Sequence, residues 1–342
     1  MHDRVSRLPA NGRERLHVAA IGAALADDYE RAKALLGELL QHEPRDVLAL
    51  QVAHAFDYLT GDVARLGDRV RGVLPAWSSE LPGYHAVLAM HAFGLQEIGD
   101  YARAENMAHR ALALDPSDAR AHHALAHVFE MTGRADAGIA WMQEHSEHWA
   151  TDTVVATHCW WHLALFHLVK DEVERALSLY DTRVRIGRSP DVADMIDAAA
   201  LLWRIELRGG DVGTRWGELA AAWVPHIADG FCTFNDVHAM LAFVGARDWE
   251  LARRLERELA QRRSRRTRYG ETTRRVGASA CRALVAFGRR KYAGAIRALA
   301  SLPALAHRIG GSHAQRDVLR LTLLAAIARV RQLASRLRIA AR

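Results

Sequence analysis

The chain has 342 residues, half of them hydrophobic and a quarter charged, which excludes a disordered chain and suits two domains or a repeat array. No run approaches the roughly 18 uninterrupted apolar residues of a membrane-spanning helix, so a soluble protein without membrane contact is expected. The formal charge of +6 hides an asymmetry: residues 251–342 carry 23 Arg and Lys against 4 Asp and Glu, and the remainder is net acidic.

At the N-terminus, Arg4, Arg7, Arg13 and Arg15 precede or flank "LHVAAIGAALA", which imitates a signal peptide with a small-residue cleavage site. His17, the alanine-rich composition and the direct continuation into "DDYERAKALLGELLQHEP" instead predict a helix that packs on the next one. Cys159, Cys232 and Cys281 are far apart, odd in number and without C-x-x-C spacing. That pattern argues against a disulfide framework or a structural zinc site and for a reducing cytoplasm.

"DDYERAKALLGELLQHEP" (27–44) and "GDYARAENMAHRALALDP" (99–116) share an aromatic-x-x-Ala spacing, Tyr29 with Ala32 and Tyr101 with Ala104, and both end in proline. Worn copies follow in "DEVERALSLYD", "RDWELARRLERELA" and "RKYAGAIRALASLP", where Ala176, Ala252 and Ala295 mark the close approach of two helices. This is the second half of a tetratricopeptide (TPR) repeat, whose period is 34 residues. The predicted fold is all-α: a TPR α-solenoid, a right-handed superhelix of about six to eight antiparallel helix pairs. It would span 1–342 as a single domain, with its best-formed repeats over 14–184, degenerate repeats over 190–303 and a C-terminal capping helix over 312–338.

In "HHALAHVFEMTGR" (122–134) this register puts His122, Leu125, Ala126 and Phe129 inside the helix pair. His123, His127 and Glu130 then share one stripe at i, i+4 and i+7, facing the concave groove. Neighbouring first helices contribute Gln96 and Glu97, then His158 and Trp161 with His162 one turn on, and further along Asn235, Asp236 and His238. His91 reads as a hydrogen-bonded core histidine. Trp160, Trp161, Trp203 and Trp216 read as packing between helices, with Trp161 also a candidate to cover an apolar part of a ligand. In "GGSHAQRDV" the two glycines free the backbone and Ser312 is a good N-cap. Arg316 and the exposed amides there could receive an anion, unless Arg316 merely pairs with Asp317.

Two histidines one turn apart beside a carboxylate are raw material for a divalent metal such as Zn, Fe or Mn, with His123, His127, Glu130, His158 and His162 as candidate ligands. H-x-x-x-H-x-x-E lacks the glutamate between the histidines that a metalloprotease needs. Metal-free acid–base work could use His127, Glu130, His162 or His238, with Glu97 and Asp236 as further carboxylates. Cys159 and His158 are adjacent on a helix and point about 100° apart, so they form no nucleophile pair. P-loop, G-x-G-x-x-G and G-x-S-x-G patterns are lacking. The densest basic run, Arg262 to Arg275, holds one aromatic, Tyr269, so a nucleic-acid partner is not expected.

Taken in order, "HAFGLQE", "HALAHVFEMTGR", "HCWWHLALFHL", "DAAALLWRIEL", "FNDVHAMLAFVGARDW" and "IGGSHAQRDV" resemble the tetratricopeptide repeat protein 38-like family over roughly Pro44 to Leu324. The resemblance implies an all-α TPR solenoid and a cytosolic protein, and it brings no chemistry that can be carried over by residue. The final "RLTLLAAIARVRQLASRLRIAAR" departs from the paired-helix ending such a protein would have. The expected function is a binding protein whose groove takes a peptide segment or a polar small molecule, clamped by His123, His127, His158 and Arg316. The alternative is an enzyme using the same groove.

Overall fold

The computed structural model describes residues 8–151 and 153–340, with side chains described as far as residue 336; Arg4 and Arg7 lie outside them. Among the described residues the chain folds into successive antiparallel helix pairs. They are α1 (Gly12–Leu25) with α2 (Tyr29–His42), α3 (Val47–Leu59) with α4 (Val63–Val73), α5 (Tyr84–Glu97) with α6 (Tyr101–Leu114), and α7 (Ala119–Met131) with α8 (Ala135–Glu144). Then come α9 (Ala156–Val169) with α10 (Val173–Leu179), α11 (Val192–Leu207) with α12 (Arg215–Trp223), α13 (Thr233–Gly245) with α14 (Trp249–Arg262), and α15 (Ala278–Gly288) with α16 (Tyr292–Leu299).

One turn recurs in all eight pairs. A residue with left-handed backbone closes each first helix: Asp27, Gly61, Gly99, Gly133, Asp171, Gly209, Arg247 and Arg290. The amide that follows reaches back five residues, as in Asp28 N to Ala23 O at 2.9 Å, Asp100 N to Leu95 O at 3.0 Å and Lys291 N to Ala286 O at 2.8 Å. This is a Schellman ending, which satisfies carbonyls that the helix itself leaves over. The next helix often starts on an aspartate whose carboxylate accepts a backbone amide, as Asp28, Asp100 and Asp248 do. Repeated chemistry at the turn therefore produces a repeated fold: an all-α TPR solenoid.

Small residues set the helix spacing. Ala32, Ala104, Ala176, Ala252 and Ala295 are all buried, as the repeat register predicts. Gly94 of α5 sits against the backbone of α4: a Cβ there would lie 2.7 Å from Leu66 O and 2.8 Å from Gly67 N.

The chain divides into two compact units, Met1–Cys159 and Trp160–Arg342, and the division falls inside α9. In the first unit, Leu36, Leu39, Leu50, Val70 and Val87 form a core. Buried Asp57 there accepts two hydrogen bonds from Arg69, at 2.6 and 3.0 Å. In the second unit, Trp161, Trp203, Trp216, Trp223 and Phe243 belong to one core. Here the helices depart from regular geometry: π-helical turns at Tyr180–Val184 and Thr273–Gly277 each insert extra residues. The segment read as a cap over 312–338 is a short turn, His313–Arg316, followed by the long helix α17 (Val318–Ala340). It docks through Trp203 Nε1, which donates to Thr322 Oγ1 at 2.8 Å.

Candidate functional site

In the first unit the inner helices bring rings together. Phe93 of α5 stacks on His123 of α7 (centroids 5.6 Å, planes 23° apart) and meets His127 edge-on at 5.5 Å. On its other side Phe93 receives His54 and Tyr58 of α3 edge-on, at 6.0 and 5.8 Å. His158, at the start of α9, completes the row, its ring 4.9 Å from His123 and 6.0 Å from His127. Each ring comes from the first helix of its pair, so the stripe crosses four successive repeats.

His127 Nε2 and His123 Nε2 lie 2.9 Å apart in a hydrogen bond, one ring donating and the other accepting. Burial holds the His123 imidazole well below its usual range, and the neighbouring His158 and Arg120 lower it further. Burial likewise pushes His54 down to about 4, helped by the Arg69 cation. A buried imidazole of this kind is neutral at physiological pH and offers lone pairs rather than positive charge. One ring nitrogen from each of His123, His127 and His158 falls within 4.8 Å of the others. His162 follows one turn beyond His158 on α9 and is fully buried.

The predicted core positions His122, Leu125, Ala126 and Phe129 are buried. His91 is buried too, but its Nδ1 has no hydrogen-bond partner among the described residues, contrary to the satisfied core histidine expected. Glu130, also expected among the candidate ligands, is half-buried and is not part of the group of converging imidazoles. Glu97 accepts a hydrogen bond from buried Gln96 at 2.9 Å.

In the second unit three expectations need correction. Trp161, predicted to cover a ligand on the groove face, is fully buried in the core, with the Arg204 guanidinium 5.3 Å from its ring centre. Asp236 and His238 do not share a surface, because residues two apart on a helix point to nearly opposite sides. Asp236 is buried against Tyr269, whose hydroxyl donates to it at 2.6 Å, and against Arg262 at 3.5 Å; burial pushes its carboxyl up to about 6. His238 is fully buried, with Nδ1 2.8 Å from the Phe234 carbonyl, and is pushed down to about 4 by that burial. Asn235, half-buried, accepts from the Cys232 thiol. Third, Arg316 is no exposed anion receptor: it is buried and donates to the Gly311 carbonyl, while Asp317 accepts from Arg320 at 2.7 Å. Ser312 does cap its turn, in a reciprocal box with Gln315.

Sequence reasoning missed Phe93, His54 and Tyr58, which carry no polar pattern of their own. It also missed a buried polar centre in the second unit, where Gln315 Nε2 donates to Asp197 Oδ1 at 3.1 Å and Arg204 donates to the Ala200 and Ala314 carbonyls. Asp197 and Gln315 both lie in the quoted fragments, yet only the fold shows that they meet.

A tetratricopeptide repeat profile matches residues 96–155, the part of the chain that supplies α6 to α8, with His123 and His127. Among solved structures, the chain is similar to one in a crystal structure of the APC/C hetero-tetramer Cut9–Hcn1, at 13% identity and a TM-score of 0.46. The match covers 94% of this chain and 58% of that one. Among the described residues, no helix is long and apolar enough to cross a membrane.

Proposed function

We propose that the chain is a TPR-type binding protein, of the tetratricopeptide repeat protein 38-like kind, whose first unit captures a peptide segment or polar small molecule on its inner face. The observation that carries this reading is the row of rings on successive first helices: His54 and Tyr58, then Phe93, then His123 and His127, then His158. Neutral imidazoles both donate and accept hydrogen bonds, and an aromatic wall beside them favours a ligand with flat apolar parts between polar ones. The resemblance is supported by its fragments, most of which supply the first helix of a pair. The same reading puts the protein in the cytoplasm, where the thiols of Cys159, Cys232 and Cys281 would stay reduced.

The test is a peptide-array and small-molecule screen on the full chain, repeated with His127→Ala and Phe93→Leu. Binding that falls at least tenfold in both variants, with unchanged helical circular dichroism, is the expected result. A ligand that binds all three proteins equally refutes this face as the receptor.

A second reading, an enzyme using the same face for acid–base chemistry on a small molecule, is favoured by the hydrogen-bonded His123–His127 pair, which can pass a proton between rings. It expects turnover to vanish in His127→Ala with substrate affinity retained. His127, like His238, is fully buried, so the half-buried His123 is the ring of the pair that a substrate would meet.

A further inference from the structure

We infer that the imidazole group on α7 and the start of α9 is a binding site for a divalent transition metal, held by His123, His127 and His158 with one position left for water or a ligand. The inference concerns the face proposed for ligand capture but does not rest on that reading, since metal loading is measured on the protein alone.

Donor spacing carries it. Nitrogen ligands sit about 2.0–2.1 Å from zinc, so tetrahedral geometry puts neighbouring donors roughly 3.3–3.4 Å apart. Here the His123 and His127 nitrogens are 2.9 Å apart, and the three donors fall within 4.8 Å. The observed span brackets the required one, and rotation of the imidazoles about their side-chain bonds closes the difference. Helix geometry supplies the arrangement: His123 and His127 are an i, i+4 pair, and such a pair projects from one stripe.

Chemistry narrows the ion. The donor set contains neither carboxylate nor thiolate. Hard cations such as Mg, Ca and Mn prefer oxygen, whereas imidazole nitrogen suits Zn, Cu, Ni and Fe(II). Phe93 does the work of an outer shell, pinning the His123 ring by stacking and the His127 ring by its edge. The proton now shared between the two Nε2 atoms would move to a ring Nδ1 as the ion takes both lone pairs.

The test uses the untagged full chain, stripped with a chelator and titrated with Co2+ and then Zn2+. Expected is one equivalent of Co2+ with the intense visible bands of a low-symmetry nitrogen site, displaced stoichiometrically by Zn2+. Removing one ligand in His123→Ala or His127→Ala should weaken Co2+ at least as much as losing an outer partner does, roughly ten- to a hundredfold. His109→Ala, an exposed histidine on α6, should leave stoichiometry and affinity unchanged. His127→Gln guards against misfolding, since it retains a polar side chain of similar reach while removing the imidazole donor. A folded wild type that takes up no Co2+, or variants that bind it as tightly as wild type, overturns the proposal. Failure of the ligand screen leaves it standing, because Co2+ uptake is read without any other ligand.

Discussion

Gly94→Ala tests the helix spacing most directly. The added methyl would lie 2.7 Å from Leu66 O and 2.8 Å from both Leu66 C and Gly67 N, whereas ordinary contact begins at 3.4 Å. The overlap is therefore about 0.6 Å, and the atoms it meets are backbone, which cannot swing aside as a side chain can. Overpacking of this kind costs typically about 1–3 kcal/mol, and a three-atom backbone clash belongs at the upper end. Replacing a helical glycine by alanine returns about 1 kcal/mol of propensity. The net expectation is a loss of about 2 kcal/mol from the first unit. Two controls give the sign its meaning. Gly72, near the end of α4, has nothing within 4 Å of its would-be Cβ, so Gly72→Ala should gain about 0.5–1 kcal/mol. Gly67 faces Gly94, but its would-be Cβ finds Gly94 O only at 3.8 Å, so Gly67→Ala should be close to neutral. Urea unfolding followed by far-ultraviolet circular dichroism compares the first transition in the three variants. Equal midpoints for Gly94→Ala and Gly72→Ala would refute the close approach of α4 and α5.

Asp236 makes a pH prediction. Burial raises its carboxyl from 3.8 to about 6 in the folded chain, so between those values the native state holds a proton that the unfolded state has lost. Stability from this group is thus fully present below pH 4 and falls as pH rises to 6, by about 3 kcal/mol at 1.36 kcal/mol per unit. Unfolding free energy measured from pH 4 to 7, wild type minus Asp236→Asn, should decline by that amount, and parallel curves would disprove it. Gly311 has φ +79°, and a Cβ on it would lie 2.3 Å from the Phe234 ring, while Gly99, at φ +84°, has open space. Gly311→Ala should therefore cost at least about 1 kcal/mol more than Gly99→Ala in thermal unfolding, beyond the backbone strain they share; equal losses would show that the ring yields freely.

The repeat was legible where its marks are chemical and local. Tyr29 with Ala32 and Tyr101 with Ala104 announce second helices, and the aspartates before them announce caps. It faded because the left-handed turn residue is glycine in only four of the eight pairs, with Asp27, Asp171, Arg247 and Arg290 in the others. Successive turns also lie 34 or 38 residues apart up to Arg247, and the π-helical turns shift register again in the second unit. A fixed period therefore fails there, and that is where Asp236 and His238 were mistaken for neighbours. The His123–His127 stripe needed only helical spacing and was readable at once. Its companions Phe93 and His54 arrive from other helices, and no spacing within one segment encodes contacts between segments. Trp161 illustrates the converse: its groove position followed from register, but its ring is large and apolar, and the core under Arg204 claims it.

The helix that holds the division between the two units, Ala156–Val169, has a bearing on how the chain matures during synthesis. A fragment cut at Cys159 keeps only Ala156–Cys159 of that helix, too short a piece to hold helical form by itself. A fragment cut after Val169 keeps the helix but strands Leu165 and Leu168, which belong to the second unit's core. Neither cut yields a clean module. On the ribosome the rest of that helix, with Leu165 and Leu168, emerges directly behind the first unit and ahead of the core it belongs to. Until that core is made the nascent chain displays an apolar face, the kind of transient surface that invites aggregation or a chaperone.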